Sequence, residues 1–175
     1  MPRPSWSSWI AAACFCGVAL TASRATASDF LHVRSDDASI RDLLHSGYDR
    51  SPTFRALVDE IESRPGIVYI EQVVKLSRGM DGALLHTVAG SREMPLLRVL
   101  IKTNLAPDYA TAVLGHELQH VVEVLRAGPP KDAAAMTALF ATLDHQAADS
   151  KFETEDARAI TSRVLDELQA GRRRR

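Results

Sequence analysis

His116, Glu117 and His120 stand in the order His-Glu-x-x-His within Leu114-Gly115-His116-Glu117-Leu118-Gln119-His120-Val121-Val122-Glu123. A helix turns by about 100° per residue, so side chains four apart project from one face, and two imidazoles set this way can grip one metal ion. Glu117 falls about 100° round from His116. It is placed to take a proton from a water in the metal's open position rather than to bind the metal itself. Chance matches to this pattern occur in roughly one chain of this length in two hundred, so the surroundings carry weight. Leu114, Leu118, Val121, Val122 and Leu125 share one broad face of the same helix, and His116, Gln119, His120 and Glu123 share the opposite one. A solvated helix face ordinarily carries lysine and arginine, yet none occurs between Lys102 and Arg126.

The elements that must position this helix can be read on either side of it. Asn104 to Pro107 leads in, Asp108 sits in the first turn, and Gly128-Pro129-Pro130 stops it. Upstream, Asp37 or Ser39 caps a helix carrying Ile40, Leu43 and Leu44 that Gly47 ends, and Ser51-Pro52 starts a second over residues 52–63 with Phe54, Leu57, Val58 and Ile61 inward. Beyond Gly66 the period changes. Residues 67–74, 83–89 and 96–103 read as strands, rich in β-branched residues or alternating, and short loops between them predict a small, mostly antiparallel sheet of about three strands. Downstream, Asp132 caps a helix with Ala133, Met136, Leu139, Phe140 and Leu143 on one stripe; Met136 and Phe140 read as core rather than cofactor contacts. Ser150-Lys151-Phe152-Glu153 fits a capping box for a last helix that buries Ala157, Ile160, Val164 and Leu168 and ends at Gly171. The fold class is α+β.

The 175 residues allow one domain, taken as 28–171, and a composition of 46% hydrophobic and 25% charged residues is ordinary for a globular chain. Residues 1–27 stand apart, with Arg3, an apolar run over 10–20 and the small-x-small site Ala25-Thr26-Ala27, and read as a signal peptide. The chain is therefore expected to be exported, to the periplasm or beyond, with no stable membrane anchor after cleavage. Both cysteines, Cys14 and Cys16, lie in that segment, so disulfides and cysteine metal sites are not expected in the mature chain. A formal charge of −1 gives no case for nucleic acid. The four arginines at 172–175 read as a solvated basic tail.

Gly115-His116-Glu117-Leu118-Gln119-His120 resembles the active-site helix of the zincin metallopeptidases. One zincin branch carries a glycine three residues after the second histidine and a further histidine three beyond; here those places hold Glu123 and Arg126. The resemblance therefore points to the gluzincin branch, whose third ligand is a glutamate on a later helix. It covers the motif helix and, loosely, the order of strand, motif helix and later glutamate helix. It implies Zn2+ as cofactor, His116 and His120 as ligands, Glu117 as general base toward a zinc-bound water, and a peptide or protein substrate. It also implies that the strand at 96–103 offers its edge to an extended substrate. Glu153 is the first choice for third ligand, because on the last helix it falls with Ala157, Ile160 and Val164; the alternative is that it only closes the capping box. Glu123 competes, lying about 20° from His116 on the wheel but a further turn along, which suits a supporting or cleft role better. Asp156 could orient His116 or His120 from behind. His145 is either a ligand, a transition-state donor or a helix-terminal charge. Tyr109 or Tyr69 would supply an oxyanion donor, and His32, His45 and His86 carry no spacing signal. The rival readings are a non-catalytic exported binding protein that keeps the scaffold, with or without structural zinc, and a structural domain whose motif is accidental.

Overall fold

A computed structural model describes residues 30–77, 79–87, 89–91, 93–143 and 153–173; the proposed signal segment, His145 and Ser150 lie outside them. Among the described residues there are five helices and one five-stranded sheet, an α+β arrangement. After β1 (Val33–Arg34), Asp37 opens α1 (Ala38–Arg50) by accepting the Ser39 amide at 2.8 Å. Ser51 does the same for α2 (Pro52–Glu62), accepting from Phe54 N at 3.0 Å with Pro52 at the first helical position. Gly47 does not end α1. It lies inside the helix, and the Phe54 ring rests against its backbone, where a Cβ would come within 2.8 Å of Cδ1. Glu62, at the end of α2, accepts the amides of Leu31, His32 and Val33 and so ties the short first strand down.

The remaining strands are β2 (Ile67–Val73), β3 (Gly82–Leu84), β4 (Ala89–Gly90) and β5 (Pro95–Lys102). The sheet order is β1-β2-β5-β3, with β4 also on β5. β1 and β5 both run parallel to β2, whereas β3 and β4 run antiparallel to β5. The expected antiparallel meander is thus corrected to a mixed sheet with a parallel centre. Parallel strands are ordinarily covered on both faces, but here the helices cover only one. Val68, Ile70, Leu97, Val99 and Ile101 are buried, while the intervening Arg98 and Glu71 pair at 2.9 Å on the far face. The inference from short loops to antiparallel pairing holds for β3 and β4 on β5 and fails for β2, which pairs parallel with β1 and β5. A second correction follows: the strand read at 96–103 is interior, between β2 and β3, so the edge next to the motif helix belongs to β3.

The motif helix, α3 (Pro107–Ala127), ends at Gly128, whose φ of 84° is in the left-handed region. It is buried on both sides, not one: Leu114, Leu118, Val121 and Val122 enter the main core with Phe54 and Ile61, and the histidine face is covered as well. The cover is α5 (Glu155–Arg173), preceded by α4 (Ala133–Leu143), which Asp132 caps through Ala135 N at 2.8 Å. The last helix is held at its far end by Glu167, which accepts from Ser51 and Thr53, and by Arg172 and Arg50, which both pair with Asp108 at 3.0 Å. Arg172 and Arg173 continue this helix, so the tail reading is corrected for them. No helix among the described residues is long and apolar enough to cross a membrane.

Candidate metal centre

The geometry of α3 brings the two imidazoles together with their Nε2 atoms 3.2 Å apart. The groups behind them decide which nitrogen faces which way. His120 Nδ1 lies 2.9 Å from Glu123 Oε2; a carboxylate only accepts, so Nδ1 carries the proton. Glu123 Oε1 in turn accepts from Gln119 Nε2 at 3.1 Å and from Thr154 Oγ1 at 2.8 Å. His116 Nδ1 lies 3.0 Å from Thr161 Oγ1, whose own proton goes to the Ala157 carbonyl at 3.2 Å. Thr161 therefore accepts from His116, and both rings turn a bare Nε2 lone pair toward the same point.

Two buried lone pairs facing each other at this distance require a proton or a cation between them. In the chain alone a proton serves: burial draws His120 down, but the Glu123 carboxylate and the Glu117 charge outweigh it and hold the ring above its ordinary range. Burial and the neighbouring His120 charge hold His116 below, and the His120 Nε2–H then donates to His116 Nε2. A divalent metal fits the same place. Tetrahedral zinc with Zn–N of about 2.0–2.1 Å spans about 3.3 Å between two ligand nitrogens. Glu153 Oε2 lies 3.6 Å from His116 Nε2, on a side chain 43% exposed. Among the described residues no three His, Cys, Asp or Glu stand close enough to hold an ion as they are, so Glu153 would have to move closer to act as a third ligand. Zinc would be held by His116, His120 and Glu153.

Glu117 is buried against β3. At Gly82 a Cβ would come within 2.7 Å of its Oε1, so only glycine lets the strand backbone approach this closely. Burial, more than any neighbouring charge, raises its carboxyl from about 4.5 to about 7, with the His120 charge and the Leu84 amide acting the other way. His116, Glu117 and His120 of the motif, together with Glu153, open onto a cleft of about 530 Å³, bounded by the loop before β3, β3 itself, Val113, Phe140 and the first turns of α5.

The other candidates fall out differently. Glu153 reaches the site, but not from the helix wheel: α5 starts at Glu155, capped by Thr154 Oγ1 at 3.2 Å from Ala157 N, and Glu153 stands just before it. Asp156 is exposed and absent from the cleft wall; the backing it was expected to give comes from Thr161 and Glu123. Tyr109 lines the cleft and donates to Asp81 Oδ2 at 3.0 Å, whereas Tyr69 is bonded to Asp36 on the sheet and takes no part. His32 and His45 are remote, the first at the Ile61 carbonyl and the second stacked on Phe30.

Sequence reasoning missed four residues here. Thr154, just before the last helix, and Thr161, within it, gave no signal in the sequence. His86 lines the cleft and stacks on Phe140, which meets His120 edge-on with ring centroids 5.3 Å apart. Phe140 is therefore both core and site wall, where the stripe alone pointed only to core. Thr161→Val keeps the shape and removes the acceptor, so metal affinity is expected to fall about tenfold with the fold retained. Competition with a chromogenic chelator measures it, and unchanged affinity would show that Thr161 does not hold His116.

Comparison of the chain with protein-family models, with curated proteins and with solved structures returns no match.

Proposed function

We propose that the chain is an exported zinc-dependent metallopeptidase resembling the gluzincins, with His116, His120 and Glu153 as ligands and Glu117 as general base. One observation carries this reading: two imidazoles locked by their Nδ1 partners into presenting facing Nε2 lone pairs, beside a buried carboxyl poised near neutrality. An amphipathic helix with an accidental motif has no reason to bury that arrangement. Zinc, when bound there, supplies Lewis acidity to a carbonyl and lowers the pKa of water toward neutrality.

The remaining work belongs to the chain. A carboxyl near 7 takes a proton from water and returns it to a leaving amine at similar cost, which is what a residue acting first as base and then as acid requires. β3, the antiparallel edge strand beside Glu117, would pair with an extended peptide backbone in place of the strand at 96–103, which supports a substrate edge at Gly82–Leu84. Tyr109 is the nearer of the two oxyanion donors considered, once its hydroxyl leaves Asp81.

The experiment is metal content with and without chelation. Purified protein is expected to hold about one zinc per chain and to cleave a mixed peptide substrate. A chelator should stop cleavage, and added Zn2+ should restore it. Zinc at full occupancy with no cleavage of any peptide pool would move the reading to a binding protein; no zinc would end it.

A further inference from the structure

Arg158 is the only lysine or arginine among the described residues that line the cleft. Five arginines elsewhere are committed, Arg50 and Arg172 to Asp108, Arg64 and Arg126 to Glu60, Arg98 to Glu71, and Arg163 and Arg173, which form no ion pair among the described residues, lie outside the cleft. The Arg158 guanidinium has no such partner among the described residues, and neither has the hydroxyl of Ser162, four residues on. Positions four apart share a helix face, so α5 presents a guanidinium and a hydroxyl side by side on the cleft wall. Thr161, on the same turn, is the residue bonded to His116.

That bond sets the scale. Three residues of helix rise about 4.5 Å and an extended peptide advances about 3.3 Å per residue, so Arg158 stands within one or two substrate residues of the histidines. Asp81, on the opposite wall, is already engaged by Lys102 and Tyr109 and does not compete for it. A planar guanidinium with five donors and no hydrogen-bonded acceptor among the described residues is matched by a carboxylate, which it binds through two parallel hydrogen bonds.

We propose that Arg158, with Ser162 beside it, selects substrates bearing a carboxylate within one or two residues of the scissile bond. This deepens the peptidase reading and rests on it. The carboxylate comes either from an Asp or Glu side chain or from a free C-terminus.

The test uses the zinc-loaded full chain and matched peptide pairs. In one arm Glu is exchanged for Gln at each position flanking the bond in a peptide blocked at both ends; in the other a free C-terminus is exchanged for its amide. Hydrolysis is followed by chromatography, and binding by fluorescence anisotropy of labelled peptides. The carboxylate member of a pair is expected to be favoured by about ten- to a hundredfold, mainly in KM and in Kd. Arg158→Gln should bring that ratio to near unity, and Arg158→Lys should restore part of it, because an ammonium keeps the charge but not the fork. Arg158 is exposed, so neither change threatens the fold. The arm that responds identifies the source of the carboxylate. Equal treatment of both members by the wild type overturns the proposal, as does a carboxylate advantage that survives in Arg158→Gln, which would place the carboxylate on the metal instead. Binding that discriminates through Arg158 with no peptide cleaved would uphold the carboxylate site and remove the hydrolytic reading.

Discussion

Glu117→Gln is expected to lower peptide hydrolysis by about 10²- to 10⁴-fold while zinc content stays at its wild-type value. The substituted side chain keeps the volume that β3 packs against and loses only the ability to exchange a proton, and it is not among the three groups that would hold the metal. Retained hydrolysis would remove Glu117 from the chemistry. The same variant has a thermodynamic signature in metal-free protein. Burial raises the folded carboxyl from about 4.5 to about 7, so the folded chain holds this proton more tightly than the unfolded one. The stability it contributes is complete below pH 4.5 and is lost as pH rises to about 7. Relative to Glu117→Gln, the wild type should lose about 3 kcal/mol across that window and stay level above it. Urea titrations of both proteins at several pH values read this difference, and parallel pH profiles would contradict it.

The second large effect concerns the third ligand. Structural zinc binding of about 10–16 kcal/mol spread over four positions gives each about 3 kcal/mol, so Glu153→Ala is expected to weaken zinc by on the order of 10²-fold. Glu123→Ala should weaken it only about tenfold, because it loosens His120 without removing a ligand. Stability runs in the opposite order. Glu153 is partly exposed, and its loss should be nearly silent; Glu123 accepts from Gln119, His120 and Thr154, and its loss leaves three buried donors unpaired at a cost of about 1–3 kcal/mol each. Competition titrations with denaturant curves on the two variants separate the roles, and the reverse order in zinc affinity would transfer the ligand assignment to Glu123.

What could be read in advance follows from where each interaction is encoded. Local periodicity and caps placed all five helices, because Asp37, Ser51, Asp132 and Gly128 act within four residues of themselves. Pairing direction in the sheet is set by partners far apart, and β1, two residues long, leaves no pattern to find. The burial of the histidine face of α3 was hidden for the same reason: it depends on α5, not on α3. Glu153 was reached from a helix wheel that does not apply to it, since Thr154 rather than Ser150 caps the helix among the described residues. Thr161 and Arg158 were illegible because one hydroxyl or one guanidinium among many acquires meaning only from the neighbour it meets.

The dependence of the site on α5 has a consequence for the order of events in the life of the chain. His116 waits on a threonine 45 residues further along, and Glu123 on one 31 residues along. A chain emerging from the ribosome therefore carries the motif before it carries the means to orient it. On the proposed reading, hydrolytic competence would arrive only with the last helix, since Thr161 and Thr154 must be in place before His116 and Glu123 have their partners.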